Sequence, residues 1–217
     1  MKTTIISITF LFLMIATVGL AQDQEKVATN SIKSGFAIYS ANFTAGYYSP
    51  KMDYYPTAYG LPKFGGNMAI GANVTFSLPS DFRARVGASI WSDEVKGTST
   101  SRVNALKIGL TRFNLGLLYA PKSFAFSNYQ PYLGLEVQEN LIKNTSTIGN
   151  TSITQQGQSM SFAPILGLDR SFGHFNCGLE LKYNLGNYNQ EEALEQTVVH
   201  KVSISGTEVS LMLGYKF

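Results

Sequence analysis

The chain has 217 residues, 14% of them charged and 44% hydrophobic, with 14 Phe, 12 Tyr, one Trp and 20 Gly. A soluble domain carries about 25% charged residues, so the balance leans towards a membrane protein, and the hydrophobic share excludes a disordered chain. A net charge of +3 and a single Cys argue against a nucleic-acid binder, a disulfide framework and a cysteine-held zinc site.

At the N-terminus, Lys2 precedes a run from Ile5 to Val18 that is apolar apart from Ser7, Thr9 and Thr17, and Gly19 and Ala21 are small residues ahead of Gln22. Residues 1–21 therefore read as a cleaved secretory signal peptide. The apolar run is shorter than the roughly 20 residues a spanning helix needs. Residues 22–33 read as a periplasmic lead-in and 34–217 as one barrel domain. No later apolar run is long enough for a transmembrane helix.

The rest alternates with period two. Gly35–Tyr48 is the first candidate strand. From Asn67 to Leu78, Met68, Ile70, Ala72, Val74, Phe76 and Leu78 oppose Asn67, Ala69, Gly71, Asn73, Thr75 and Ser77, two sets a strand places on opposite faces. Phe82, Ala84, Val86, Ala88 and Ile90 oppose Arg83, Arg85, Gly87, Ser89 and Trp91. Val103–Tyr119 follows, with the apolar parity changing near Thr111, which predicts a β-bulge. Pro131–Ile142 and Ser159–Arg170 are two further strands, and Phe175–Gly186 alternates cleanly. The last strand sets Val209, Leu211, Leu213, Tyr215 and Phe217 against Glu208, Ser210, Met212, Gly214 and Lys216, with a second parity change, hence a second expected bulge, near Gly206. Connections 49–66, 93–102, 143–158 and 187–200 read as long loops, and 79–81 and 171–174 as short turns, while 120–130 is longer than that pattern expects. The reading is an all-β, eight-stranded antiparallel up-and-down transmembrane β-barrel, with short turns at one end and long loops at the other.

Alternation does not say which face is outside, because a lipocalin-like soluble barrel has the opposite polarity. The low charge favours lipid outside. So do aromatics near strand ends (Phe43, Tyr47, Tyr48, Phe76, Phe82, Trp91, Tyr119, Phe162 and Tyr215), which suit interfacial girdles. The polar face balances Arg83, Arg85, Arg112 and Lys182 against Glu136, Asp169, Glu180 and Glu208. A low-dielectric interior needs that balance, because an unpaired buried charge costs several kcal/mol. Glycines on the same face (Gly46, Gly71, Gly87, Gly116, Gly134, Gly167, Gly178 and Gly214) leave room for long side chains opposite.

The ending EVSLMLGYKF resembles the C-terminal strand of Gram-negative outer-membrane proteins, and the whole mature chain is similar to small OmpA/OmpX-type barrels of the "outer membrane protein beta-barrel domain" or porin family. The resemblance implies a cell outer membrane location, contact with outer-membrane lipid and lipopolysaccharide, and recognition of Leu213, Tyr215 and Phe217 by the barrel-assembly machinery. It implies no activity, since this fold hosts structural proteins, channels, adhesins and enzymes.

No catalytic, cofactor or metal constellation stands out. His174 and His200 are expected at opposite ends of the barrel, and His200 and Ser203 have a spacing that puts them on opposite faces, unlike the His-x-Ser pair of lipid A deacylases. Two candidate sites remain. One is the lumen charge network of Arg83, Arg85, Arg112, Glu136, Asp169, Glu180, Lys182 and Glu208, a static plug or a gate. The other is an aromatic, proline-stiffened extracellular loop bearing Tyr54, Tyr55 and Tyr59, a contact surface for partners. The expectation is a non-enzymatic, porin-like or structural barrel without cofactor and without nucleic acid. The alternatives are an accessory subunit of a larger outer-membrane complex, a narrow solute channel and, last, a lipid-modifying enzyme.

Overall fold

The computed structural model describes residues 37–52, 56, 57, 59–97, 103–191 and 199–217; the signal peptide, the lead-in, Tyr54 and Tyr55 lie outside the described residues. The strands are β1 (Ala37–Pro50), β2 (Asn67–Ser77), β3 (Phe82–Lys96), β4 (Ala105–Tyr119), β5 (Tyr129–Ile148), β6 (Thr151–Phe172), β7 (Phe175–Glu191), β8 (Val199–Ser203) and β9 (Gly206–Lys216). All neighbours are antiparallel, and because β1 pairs with both β2 and β9 while β6 pairs with β7, the sheet closes on itself. β8 and β9 share one wall position: Asn187 faces Ser203 and Asn184 faces Gly206 in a single register along β7. The wall is thus an eight-stranded up-and-down barrel. Closure is the condition for strands to cross lipid, where an unpaired backbone amide finds no water.

The outer wall carries a band of exposed apolar side chains, among them Phe43, Ile70, Ile90, Leu115, Leu135, Phe162, Leu181 and Leu213. Soluble monomers seldom expose a contiguous apolar patch beyond about 600 Å², so this band is a lipid-facing surface. On β9 it runs from Val209 to Phe217. At about 3.3 Å per residue and a tilt of about 40° that is roughly 20 Å of height.

Above the band, towards the loop end, the polarity of the wall inverts. On β4 the even residues face inward throughout, but they change from Arg112, Asn114 and Leu118 to Leu106, Ile108 and Leu110, the last three all buried. The outward residues change from Phe113, Leu115 and Leu117 to Thr111, Gly109 and Lys107. Registers from β3 to β4 and from β4 to β5 are unbroken across Thr111. The same holds at the last wall position, where Val202, Ile204, Gly206, Glu208 and Ser210 all face in. Neither expected bulge exists. The apolar set changes sides because its surroundings change from lipid to water, not because the backbone slips a residue. The register shift that is present lies between Ile38 and Ser40 on β1.

The expected loop 143–158 is also corrected. β5 and β6 run on as a ribbon to a two-residue turn at 149–150, with Gly149 at φ +57. Its outward hydroxyls pair across the strands, Thr145 with Thr154 at 3.0 Å and Thr147 with Ser152 at 3.2 Å. Residues 93–96 and 187–191 likewise belong to strands, not loops. At the turn end, 120–130 holds a 3-10 turn at Lys122–Phe124 and a tight hairpin in which Phe126 and Tyr129 exchange backbone hydrogen bonds of 3.0 and 2.8 Å. Ser127 and Asn128 take the positive φ that a two-residue turn demands.

Candidate functional site

The alternation that faces leucines to lipid turns the intervening residues into the bore, and an eight-stranded bore is just wide enough for side chains to fill. They fill it in layers. Nearest the turn end, Arg83 on β3 meets Asp169 on β6 at 3.0 Å, with its guanidinium 3.8 Å from the centre of the Tyr39 ring. An amide ladder shares that level: Asn176 donates to Asn42 at 3.0 Å and Asn42 to Asn73 at 2.9 Å. Leu118, in register with Arg83, joins Ala120, Tyr132, Ile165 and Met212 in a small apolar cluster.

The middle layer is ionic. Arg85 bonds Glu180 at 2.5 Å and Glu136 at 3.4 Å, and Lys182 lies 3.1 Å from Glu136 and 3.0 Å from Glu180. Tyr132 donates its hydroxyl proton to Glu180 at 2.8 Å. Arg112 crosses the bore to Glu208 at 2.6 Å. Lys182 and Glu208 face each other in register on neighbouring strands, yet the lysine reaches inward to the two glutamates instead. Glu136 and Glu180 are almost wholly buried, so this quartet is held in a medium where the charges polarise one another strongly. Glycine opposite makes it fit: a Cβ on Gly116 would stand 2.8 Å from Glu136 Cγ, and one on Gly167 would enter the Tyr132 ring.

Over the ions, at the loop end, lies an apolar cap. Tyr48, Met52, Leu61, Phe64, Trp91, Val95, Leu106, Ile108, Leu110, Ile142, Tyr188, Val202 and Ile204 are all buried in it. Tyr59 is there too, 2% exposed, so the ring expected on a contact loop points into the molecule. Tyr48 and Trp91 are likewise interior and meet edge to face with ring centres 5.3 Å apart; they are not girdle aromatics. Phe43, Tyr47, Phe82, Tyr119, Phe162 and Tyr215 do face outward.

Of the sequence-selected residues, all eight lumen charges are buried and each has an ionic partner. Leu213, Tyr215 and Phe217 stand outward on and just beyond β9, and Tyr215 also stacks on His174 at 5.3 Å. Sequence reasoning missed the cap and the Tyr39, Tyr48 and Tyr132 rings that back the arginines. The signal for the cap was present, in the same parity changes that read as bulges.

No family model and no curated protein sequence matches the chain. Solved structures of this shape do. A major outer membrane protein from Thermus thermophilus is 11% identical, with a TM-score of 0.52 over 82% of this chain and 99% of that one. Neisserial surface protein A is 15% identical, with a TM-score of 0.48 over 85% and 98%. The N-terminal barrel domain of Pseudomonas aeruginosa OprF is 13% identical, with a TM-score of 0.45 over 82% and 98%. At 11% identity the likeness to the Thermus protein is one of fold alone.

Proposed function

We propose that this protein is a non-enzymatic outer-membrane barrel, porin-like in architecture but closed, which acts through the part it displays above the lipid. The lipid-facing band and the fold shared with the Thermus outer-membrane protein support the location. The turn end then faces the periplasm, and the loop end, with the β5–β6 ribbon, faces outward. A lipid and lipopolysaccharide surround, and export through a signal peptide over 1–21, belong to the same reading.

The observation that carries it is the stacking of two seals in one bore: a paired ionic layer spanning Arg85, Arg112, Glu136, Glu180, Lys182 and Glu208, and an apolar cap directly over it. Ions entering a polar lumen would still meet a dry plug at Leu106, Ile108 and Trp91. The decisive experiment is single-channel recording in a planar bilayer. The wild type is expected to show no steady conductance. An Arg112→Ala variant is expected to stay closed too, since the cap remains. Arg112→Ala combined with Ile108→Ser, which opens the cap as well, is expected to conduct. Steady wild-type conductance overturns the closed barrel in favour of the solute channel.

A further inference from the structure

On the outer wall, β4 and β5 enclose a groove of about 620 Å³ lined by Leu115, Leu117, Leu133, Leu135 and Val137. Leu117 faces Leu135 and Leu115 faces Val137 across the strand pair, so the groove is apolar along its length. At its foot Phe82 and Tyr119 lean together, ring centres 5.1 Å apart. Phe82 also lines a second cavity, of about 590 Å³, at the turn end, and the chemistry there is different: Arg83, Lys122, Lys216, Asp81 and Gln130 contribute polar groups. Immediately beyond Tyr119 the chain forms the 3-10 turn that carries Lys122. Lys122 is exposed; its backbone N–H donates to the Asp81 carboxylate at 3.4 Å, and its ammonium makes no ion pair among the described residues. On the same turn Phe124 and Phe126 are 63% and 56% exposed, as side chains set at a lipid–water boundary are.

We infer that this corner of the barrel holds one anionic glycerophospholipid of the periplasmic leaflet, its acyl chain along the β4–β5 groove and its phosphate against Lys122. An apolar slot that meets a basic polar pocket at Phe82 matches a molecule with an apolar tail and a charged head. Neither half alone selects it: any hydrocarbon fits the leucines, and any small anion fits the lysine. The sharing of Phe82 by the two cavities ties the halves into one site. The excess of Lys122 and Lys216 over Asp81 there favours a head of net negative charge over a zwitterionic one. The inference rests on the wall facing lipid, and its test is built to separate the two.

The test is native mass spectrometry of the full chain, purified in mild detergent and exposed to equal amounts of phosphatidylglycerol and phosphatidylethanolamine. The wild type is expected to retain one phosphatidylglycerol. Leu135→Trp, which fills the groove, and Lys122→Gln, at an exposed turn position, are each expected to reduce that retention about tenfold, the equivalent of one charge-assisted contact. Leu181→Trp, on the lipid face of β7, is expected to leave it unchanged. Equal loss in Leu181→Trp, or an unaltered lipid preference in Lys122→Gln, overturns the site and leaves the membrane barrel standing. Competition by inorganic phosphate alone, at the strength of the lipid, also overturns it, because then the tail contributes nothing. Failure of the wild type to insert into vesicles at all overturns the lipid-facing wall itself, and the site with it.

Discussion

The guanidinium of Arg112 lies 3.9 Å from the centre of the Tyr48 ring. Arg112 is the uppermost cation of the ionic layer and Tyr48 the lowest ring of the apolar cap, so this contact is where the polar bore ends and the dry plug begins. The ring also edges onto Trp91, and its hydroxyl donates to the backbone oxygen of Ile204. The arginine is thus clamped between a carboxylate and a π face.

Arg112→Ala should therefore destabilise the barrel sharply. It leaves Glu208 buried without its cation, and breaking a buried pair by deleting one partner costs about 3–5 kcal/mol. Replacing both, as Arg112→Met with Glu208→Leu, removes the stranded charge, and most of the loss should return. Urea unfolding in lipid vesicles, compared at unchanged slope, measures both. Equal losses in the single and the double variant would mean the pair is not what holds this layer.

How the sequence carried this information is clearest at Thr111 and Gly206. The period of two was legible, and with it the strands, their closure and which charges face in. What failed was the inference from an apolar parity change to a flipped backbone. Parity reports which side is dry, and in a barrel that leaves the membrane the dry side moves from outside to inside with no change in geometry. Asn144–Gln158 read as loop for a related reason: the inward side chains there include the buried but polar Asn144 and Ser146, so no apolar contrast marks the strand although it persists. The true irregularity, between Ile38 and Ser40, sits among residues of mixed polarity that give no contrast. Burial of Tyr59 depends on how a connection folds over the mouth, which local pattern does not encode.

The inversion of the wall can be read by cysteine labelling in a Cys177→Ala background. A cysteine at Leu115 or Leu213 should resist a water-soluble maleimide in intact vesicles, because both positions face lipid. A cysteine at Lys107 or Thr145, outward on the same β4–β5 wall but above the band, should react rapidly. If Lys107 proved protected, the lipid band would extend to the rim and the upper tier would not exist.

Gly167 should tolerate no side chain while Tyr132 is in place. A methyl there would enter the Tyr132 ring, whose hydroxyl bonds Glu180. Gly167→Ala should cost about 1–3 kcal/mol, as overpacking does. Combining it with Tyr132→Leu should recover part of that loss, a coupling expected of residues in contact. Strictly additive losses in the unfolding midpoints would show that the two do not compete for space.

The two halves of the ionic layer should differ in how they bear the loss of one charge. Glu208 is the carboxylate bonded to Arg112, whereas Arg85 and Lys182 share Glu136 and Glu180 between them. Glu208→Gln leaves Arg112 with a neutral amide and a π face, so it should cost about 3–5 kcal/mol. Glu136→Gln leaves Glu180 within reach of both remaining cations, and the amide still accepts from one of them, so the cost should fall nearer 1–3 kcal/mol, that of a buried hydrogen bond weakened but not abandoned. Both changes remove one negative charge from the same bore. Their difference therefore measures sharing, independent of net charge. Equal unfolding midpoints would mean that the bore responds to its total charge alone, and that the individual pairings carry no separate weight.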